Sequence, residues 1–94
     1  MEFIRVVAPD RQFASNALEW ALDREIALAR MAVQVSKDRI QEFEDRYGRS
    51  LRSALARRGK VDELDLAEWE GEVEALDRLK RKVAALKDIR IWHE

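Results

Sequence analysis

Two carboxylate pairs, Glu42 with Asp45 and Glu68 with Glu72, stand three and four residues apart in stretches rich in helix formers. That spacing puts both members on one helix face, where two carboxylates could bridge a metal ion. Metal sites in helical bundles, however, usually add a Glu-x-x-His element, and the single histidine, His93, is next to the end of the chain. A lone terminal histidine has nothing to fix its ring for proton transfer or ligation. No glycine-rich phosphate loop is present. Cysteine is absent, which removes thiol nucleophiles, disulfides and thiolate metal sites together. The carboxylates therefore read as solvated surface. The chain reads as a non-enzyme, with no catalytic, cofactor-binding or metal-ligating residue expected.

The remaining candidates are groups that bind rather than react. Tryptophan and arginine are typical anchors of protein interfaces. Trp20 lies off the main apolar row between Glu19 and Ala21 and is either an exposed anchor or packed in a crowded helix; Trp69 is in phase with an apolar row; Trp92 is in the tail. From Arg46 to Lys60 every charged residue is basic, Arg57 and Arg58 among them. This block is the one feature that favours nucleic acid. A net charge of −1 and the lack of interleaved aromatics for stacking bases disfavour it.

The elements that position these residues follow from composition and period. With 94 residues the chain is one domain with a small core, a size at which self-association often adds stability. Apolar residues make up 47% and charged residues 39%, with one proline and three glycines, a composition that resembles long helices and coiled coils rather than disorder. No run is apolar enough for a membrane span, and the N-terminus lacks the extended apolar stretch of a signal peptide. A cytoplasmic protein fits these features.

The fold class expected is all-α: a long helix, a short helix and a medium-long helix returning antiparallel, forming an α-hairpin with coiled-coil-like seams. Residues 1–9 form an extended arm or strand, because β-branched and aromatic residues alternate with polar ones before Pro9. Residues 88–94 have the same look, so the two ends pair with each other, pair with a second chain, or fray. Helix 1 spans 10–47 behind an Asp10 cap. Its row Leu22, Ile26, Ala29, Val33, Ser36, Ile40, Phe43 and Tyr47 repeats by fours and threes, with Ser36 its weak position. Gly48 suits a left-handed cap, and Ser50 opens helix 2 over 50–58. Lys60 to Leu64 is a connector. Helix 3 spans 65–88, with Asp65 to Glu68 at capping-box spacing and the row Leu66, Trp69, Val73, Leu76, Leu79, Val83 and Leu86. Gly71 inside it either lets another backbone approach or is a neutral cost of about 1 kcal/mol.

A second row on helix 1, Leu18, Ala21, Leu28, Ala32 and Val35, lies beside the first. A helix apolar on more than one side needs more than one neighbour. A second copy or a partner protein supplies it, so a homodimer is expected, with Trp20, Leu18, Leu28, Val35, Arg57 and Arg58 as partner-binding residues; a self-assembling helical scaffold module that needs no other partner is the alternative function. Charge is segregated along the chain: basic from Arg46 to Lys60, then acidic from Asp62 to Asp77, then basic again to Arg90 apart from Asp88. Either the acidic block neutralises the basic one within the fold and complements the helix dipole, or one block steers a partner of opposite sign.

The stretches FEDRYGRS, Phe43 to Ser50, and DLAEWEGEVEAL, Asp65 to Leu76, resemble a family of small helical proteins. Its members carry an F-E-x-[KR]-Y-G-x-S element followed by a D-x-x-E-W element. They occur in bacteria and archaea, often encoded beside a small toxin-like protein, and are described as antitoxins. Phe43, Tyr47, Gly48, Ser50, Asp65, Glu68 and Trp69 match the pattern. The chain departs from it at Leu51-Arg52-Ser53-Ala54-Leu55, where family members carry acidic residues and a phenylalanine. The resemblance implies the antitoxin half of a toxin–antitoxin pair. The helical corner and the D-x-x-E-W element further imply that Tyr47 and Trp69 are close in space.

Overall fold

A computed structural model describes residues 2–6 and 10–93, without the side chains of Glu2, Arg5, Val6, Arg58, Trp92 and His93. The expected partner contact of Arg58 therefore lies outside what is described. The order is strand β1 (Glu2–Val6), helix α1 (Arg11–Tyr47), helix α2 (Leu51–Ala56), a single 3₁₀ turn (Arg58–Lys60), helix α3 (Glu63–Lys87) and strand β2 (Ile89–His93). The architecture is all-α with a two-stranded sheet at its open end. The molecule extends over 63 × 19 × 16 Å, set by α1, whose 37 residues span about 55 Å at 1.5 Å per residue.

Helix α1 begins where Asp10 accepts the Phe13 N–H at 2.9 Å, satisfying one of the donors that a helix start leaves free. It ends at Gly48, whose φ of 63° is the left-handed conformation that side chains disfavour. The Gly48 N–H closes the last turn on the Glu44 carbonyl at 2.7 Å. Ser50 caps α2 by accepting the Ser53 N–H at 3.3 Å. Helix α3 starts two residues before the expected Asp65. Its cap is Asp62, which accepts the N–H groups of Leu64 at 2.9 Å and Asp65 at 3.1 Å. Asp62 and Asp65 both stand where a cap could be read; Asp65 is drawn into tertiary contacts, which leaves the cap to Asp62. The Lys60–Leu64 connector is correspondingly shorter than expected.

Along α1 the buried residues are Ser15, Ala29, Ser36 and Phe43, and half-buried Leu22 completes a strict seven-residue series with them. Ala29 and Ser36 put small side chains into this buried row. On α3 the matching row is Leu66 and Trp69, buried, then Leu76, Leu79, Val83 and Leu86, half-buried, whereas Val73 falls at the exposed edge. Gly71 faces open space: a Cβ there would meet nothing within 4 Å. Among the described residues, no other backbone of this chain approaches Gly71.

Helix α3 is twelve residues shorter than α1 (25 against 37), which leaves about 18 Å of α1 overhanging. Strand β2 continues along this overhang, and Leu22 and Ile26 of α1 share a groove with Leu86 and Ile89. Strand β1 pairs with β2 in parallel, in the register Glu2↔Ile89 to Val6↔His93. The two chain ends thus pair with each other. Parallel strands need a crossover connection, and here α1, α2 and α3 together provide it. The Arg90 guanidinium donates to the carbonyls of Lys87 at 2.9 Å and Ile89 at 3.1 Å, binding the end of α3 to the start of β2.

Candidate partner-binding surface

The family-like residues gather at the closed end of the hairpin. Trp69, fully buried, lies between two α1 rings one helical turn apart: Phe43 at 5.6 Å and 13°, and Tyr47 at 6.0 Å and 15°. Ala54, Val61 and Leu66 complete this core, with Ile40, Leu51 and Leu55 packed against it. Tyr47 and Trp69 are therefore in contact, as the corner arrangement required. The indole Nε1–H is buried without a hydrogen-bond partner. That polar cost is set against the burial of one of the largest side chains in the protein.

Around this core, Asp65 accepts the Tyr47 hydroxyl at 2.5 Å and the Arg46 guanidinium at 2.8 Å. These two donors hold the Asp65 carboxyl below the usual carboxylate range, the tyrosine bond contributing most. Donating to a carboxylate raises the Tyr47 hydroxyl above its ordinary value, and burial adds to the rise. Arg46 also sits over the Phe43 ring at 5.5 Å, within cation–π range. A second cross-hairpin pair joins Arg39 to Glu72 at 3.2 Å, and Arg81 meets Asp77 within α3 at 2.8 Å.

The segregated charges thus engage each other in part. Arg46 of the basic block is committed to Asp65 of the acidic one, while Arg52 and Arg57 are exposed. Of the family-like residues, Phe43, Tyr47, Asp65 and Trp69 form the corner, and Gly48 and Ser50 shape its turn. Glu68 is exposed and, with Arg39, Glu42, Phe43, Arg46 and Glu72, lines a shallow groove at this corner. Among the described residues, no three His, Cys, Asp or Glu side chains converge as a metal site would require. No described helix is long and apolar enough to cross a membrane.

The other apolar surface lies on α1 and is open. Phe13 is 72% exposed, Trp20 69%, Met31 65%, Val35 54% and Leu28 48%. With 3.6 residues per turn, these residues and the exposed Ala17 fall within a sector of about 80°, nearly opposite the row that faces α3. The expected second row requires correction here. Leu18 (38% exposed) flanks the inner seam, Ala32 is half-buried, and the outer row passes instead through Phe13 and Met31. Both were missed because the row is interrupted at Arg24 and uses alanine at Ala17, which hides its period. Of the partner-binding residues expected, Trp20, Leu28 and Val35 lie on this outer face. Leu18 falls instead on the side of the inner row, and Arg57 stands at the opposite end of the molecule as the C-cap of α2.

Compared with protein-family models, with curated proteins and with solved structures, the chain gives no match.

Proposed function

We propose that this chain is a non-enzymatic protein-binding module that works through the outer face of α1. The observation that carries the reading is the row Phe13, Trp20, Leu28, Met31 and Val35, exposed in line on one face of a helix. Large apolar side chains gain most by leaving water, and a contiguous exposed patch of them marks an interaction site rather than ordinary surface. Aromatic side chains, enriched among interface anchors, sit at two of its positions. The helix–groove mode of recognition uses this i, i+3, i+4, i+7 spacing.

The finer reading rests on the Phe43–Ser50 and Asp65–Leu76 elements, which resemble a family described as antitoxins. In that reading the module is a cytoplasmic antitoxin that covers and neutralises a small toxin-like protein encoded beside it. Co-expression with the neighbouring gene product tests it. Growth should be rescued, a stable complex should purify, and Trp20→Glu should lose both. Absence of complex and of rescue with the unmodified chain would refute the antitoxin reading.

A further inference from the structure

The outer face of α1 has an internal symmetry. Its positions 13, 17, 20, 24, 28, 31 and 35 are separated by 4, 3, 4, 4, 3 and 4 residues, a spacing that reads the same in both directions from Arg24. Resting on the reading of this face as a docking surface, we propose that its occupant in the protein on its own is a second copy of the same helix, which the toxin-like partner displaces when it binds. The two copies run antiparallel, with a two-fold axis at Arg24.

Such an axis brings Phe13 of one copy level with Val35 of the other, Ala17 with Met31, and Trp20 with Leu28. A large side chain meets a smaller one in each of the three apolar layers, and each of these occurs twice, as an isologous interface demands; Arg24 alone meets its own copy at the axis. Members of each layer lean to opposite flanks of the seam, so they interleave rather than collide, as knobs into holes do. The spacing itself is that of any straight helical face; it is the matching of large against small side chains across the axis that favours a second copy.

Charge agrees with this pairing. Arg24 is the one charged residue of the row, and its neighbour Asp23 stands on the flank of the helix, where it also lines the groove of Leu22 and Ile26. At the axis, each Arg24 lies one residue, about 1.5 Å of rise, from the level of Asp23 in the other copy. Two symmetric ion pairs then offset the approach of the two guanidinium groups. A polar residue at one core position is a known means of fixing register and orientation in paired helices.

The open area is also of the right order. Phe and Trp side chains bury about 150–250 Å² each. The four rings of a pair, about 70% exposed, supply on the order of 500 Å². Leu28, Met31 and Val35 from both copies bring the total toward the roughly 1,000 Å² at which specific interfaces begin.

Because the chain has no cysteine, single substitutions report the geometry directly. Helix axes about 8–10 Å apart with a Cα radius of about 2.3 Å place the two residues 24 about 4–5 Å apart, within disulfide reach. Arg24→Cys should oxidise quantitatively to a linked dimer. Phe13→Cys and Val35→Cys should each stay unlinked alone, since identical positions lie about 33 Å apart in this register. Mixed together, they should give the heterologous disulfide. Circular dichroism of the reduced variants verifies that these surface changes leave the helices intact.

Self-linking of Phe13→Cys would overturn the proposal in favour of a parallel pair. Absence of linking in Arg24→Cys would overturn it outright. If linking fails while Trp20→Glu still abolishes the complex with the toxin-like protein, the self-pairing is wrong and the docking surface stands. If Trp20→Glu changes neither, both are wrong.

Discussion

Trp69 and Trp20 occupy helices with the same three-and-four apolar period, yet one is 0% exposed and the other 69%. The difference lies in what the chain can place opposite each. At the closed end, the Gly48 turn folds α3 back so that Phe43 and Tyr47 stack on Trp69, and α2 adds Leu51, Ala54 and Leu55. At the open end, α1 outruns α3, and the two short strands cover only its inner side. Its outer row therefore lacks a partner from within the chain among the described residues. One end of the molecule buries its apolar surface in the fold, and the other leaves it exposed.

This contrast predicts opposite consequences for the two tryptophans. Trp69→Ala should destabilise the fold by about 3–5 kcal/mol, the range for emptying a large core site, as read from urea denaturation. Trp20→Ala should leave the helical signal unchanged and alter association instead. Equal losses of stability from both would erase the distinction between the ends.

The turn that creates the closed end should be the next most sensitive point. Gly48→Ala puts a Cβ into a left-handed conformation and should cost about 1–2 kcal/mol. Gly71→Ala has the opposite sign. Gly71 sits in an exposed helix interior with open space beside it, so alanine should stabilise by about 0.5–1 kcal/mol. Thermal melts of the two variants should therefore move in opposite directions.

The smallest expected effect is on pH dependence at the corner. Asp65 is held below its ordinary range. Its stabilising effect is complete above the unfolded carboxylate value of about 4 and is lost as pH falls through the lower folded value. Tyr47 is held above its ordinary value. Its effect is complete below about pH 10 and is lost as pH rises through the higher folded value. Stability should thus form a plateau with limbs at both ends, measured as melting temperature against pH. Tyr47→Phe should remove the tyrosine's part of the alkaline limb, and it should weaken the acid limb by taking one donor from Asp65.

The inner architecture was legible because its signals are local. The strict period through Ala29, Ser36 and Phe43, the glycine at position 48 and the capping Ser50 each act through backbone or nearest-neighbour physics. Ser36, the weak point of the row, is a small side chain buried in line with Ala29 and Phe43. What sequence could not show depends on tertiary competition. Asp65 has the spacing of a cap, but Tyr47 and Arg46 claim its carboxylate, so α3 begins at the Asp62 cap instead. The parallel register of β1 with β2 joins residues almost the whole chain apart, a pairing that local residue patterns do not encode. The outer row through Phe13 and Met31 was obscured by Arg24 at its centre, the residue that its symmetry makes intelligible.

The account stands most directly on the mass of the protein in solution. Light scattering over a range of micromolar concentrations should give twice the chain mass for the unmodified protein. Trp20→Glu should give a single chain mass with its helical signal unchanged. A single chain mass for the unmodified protein throughout that range would contradict the claim that the outer face of α1 is covered by a second copy.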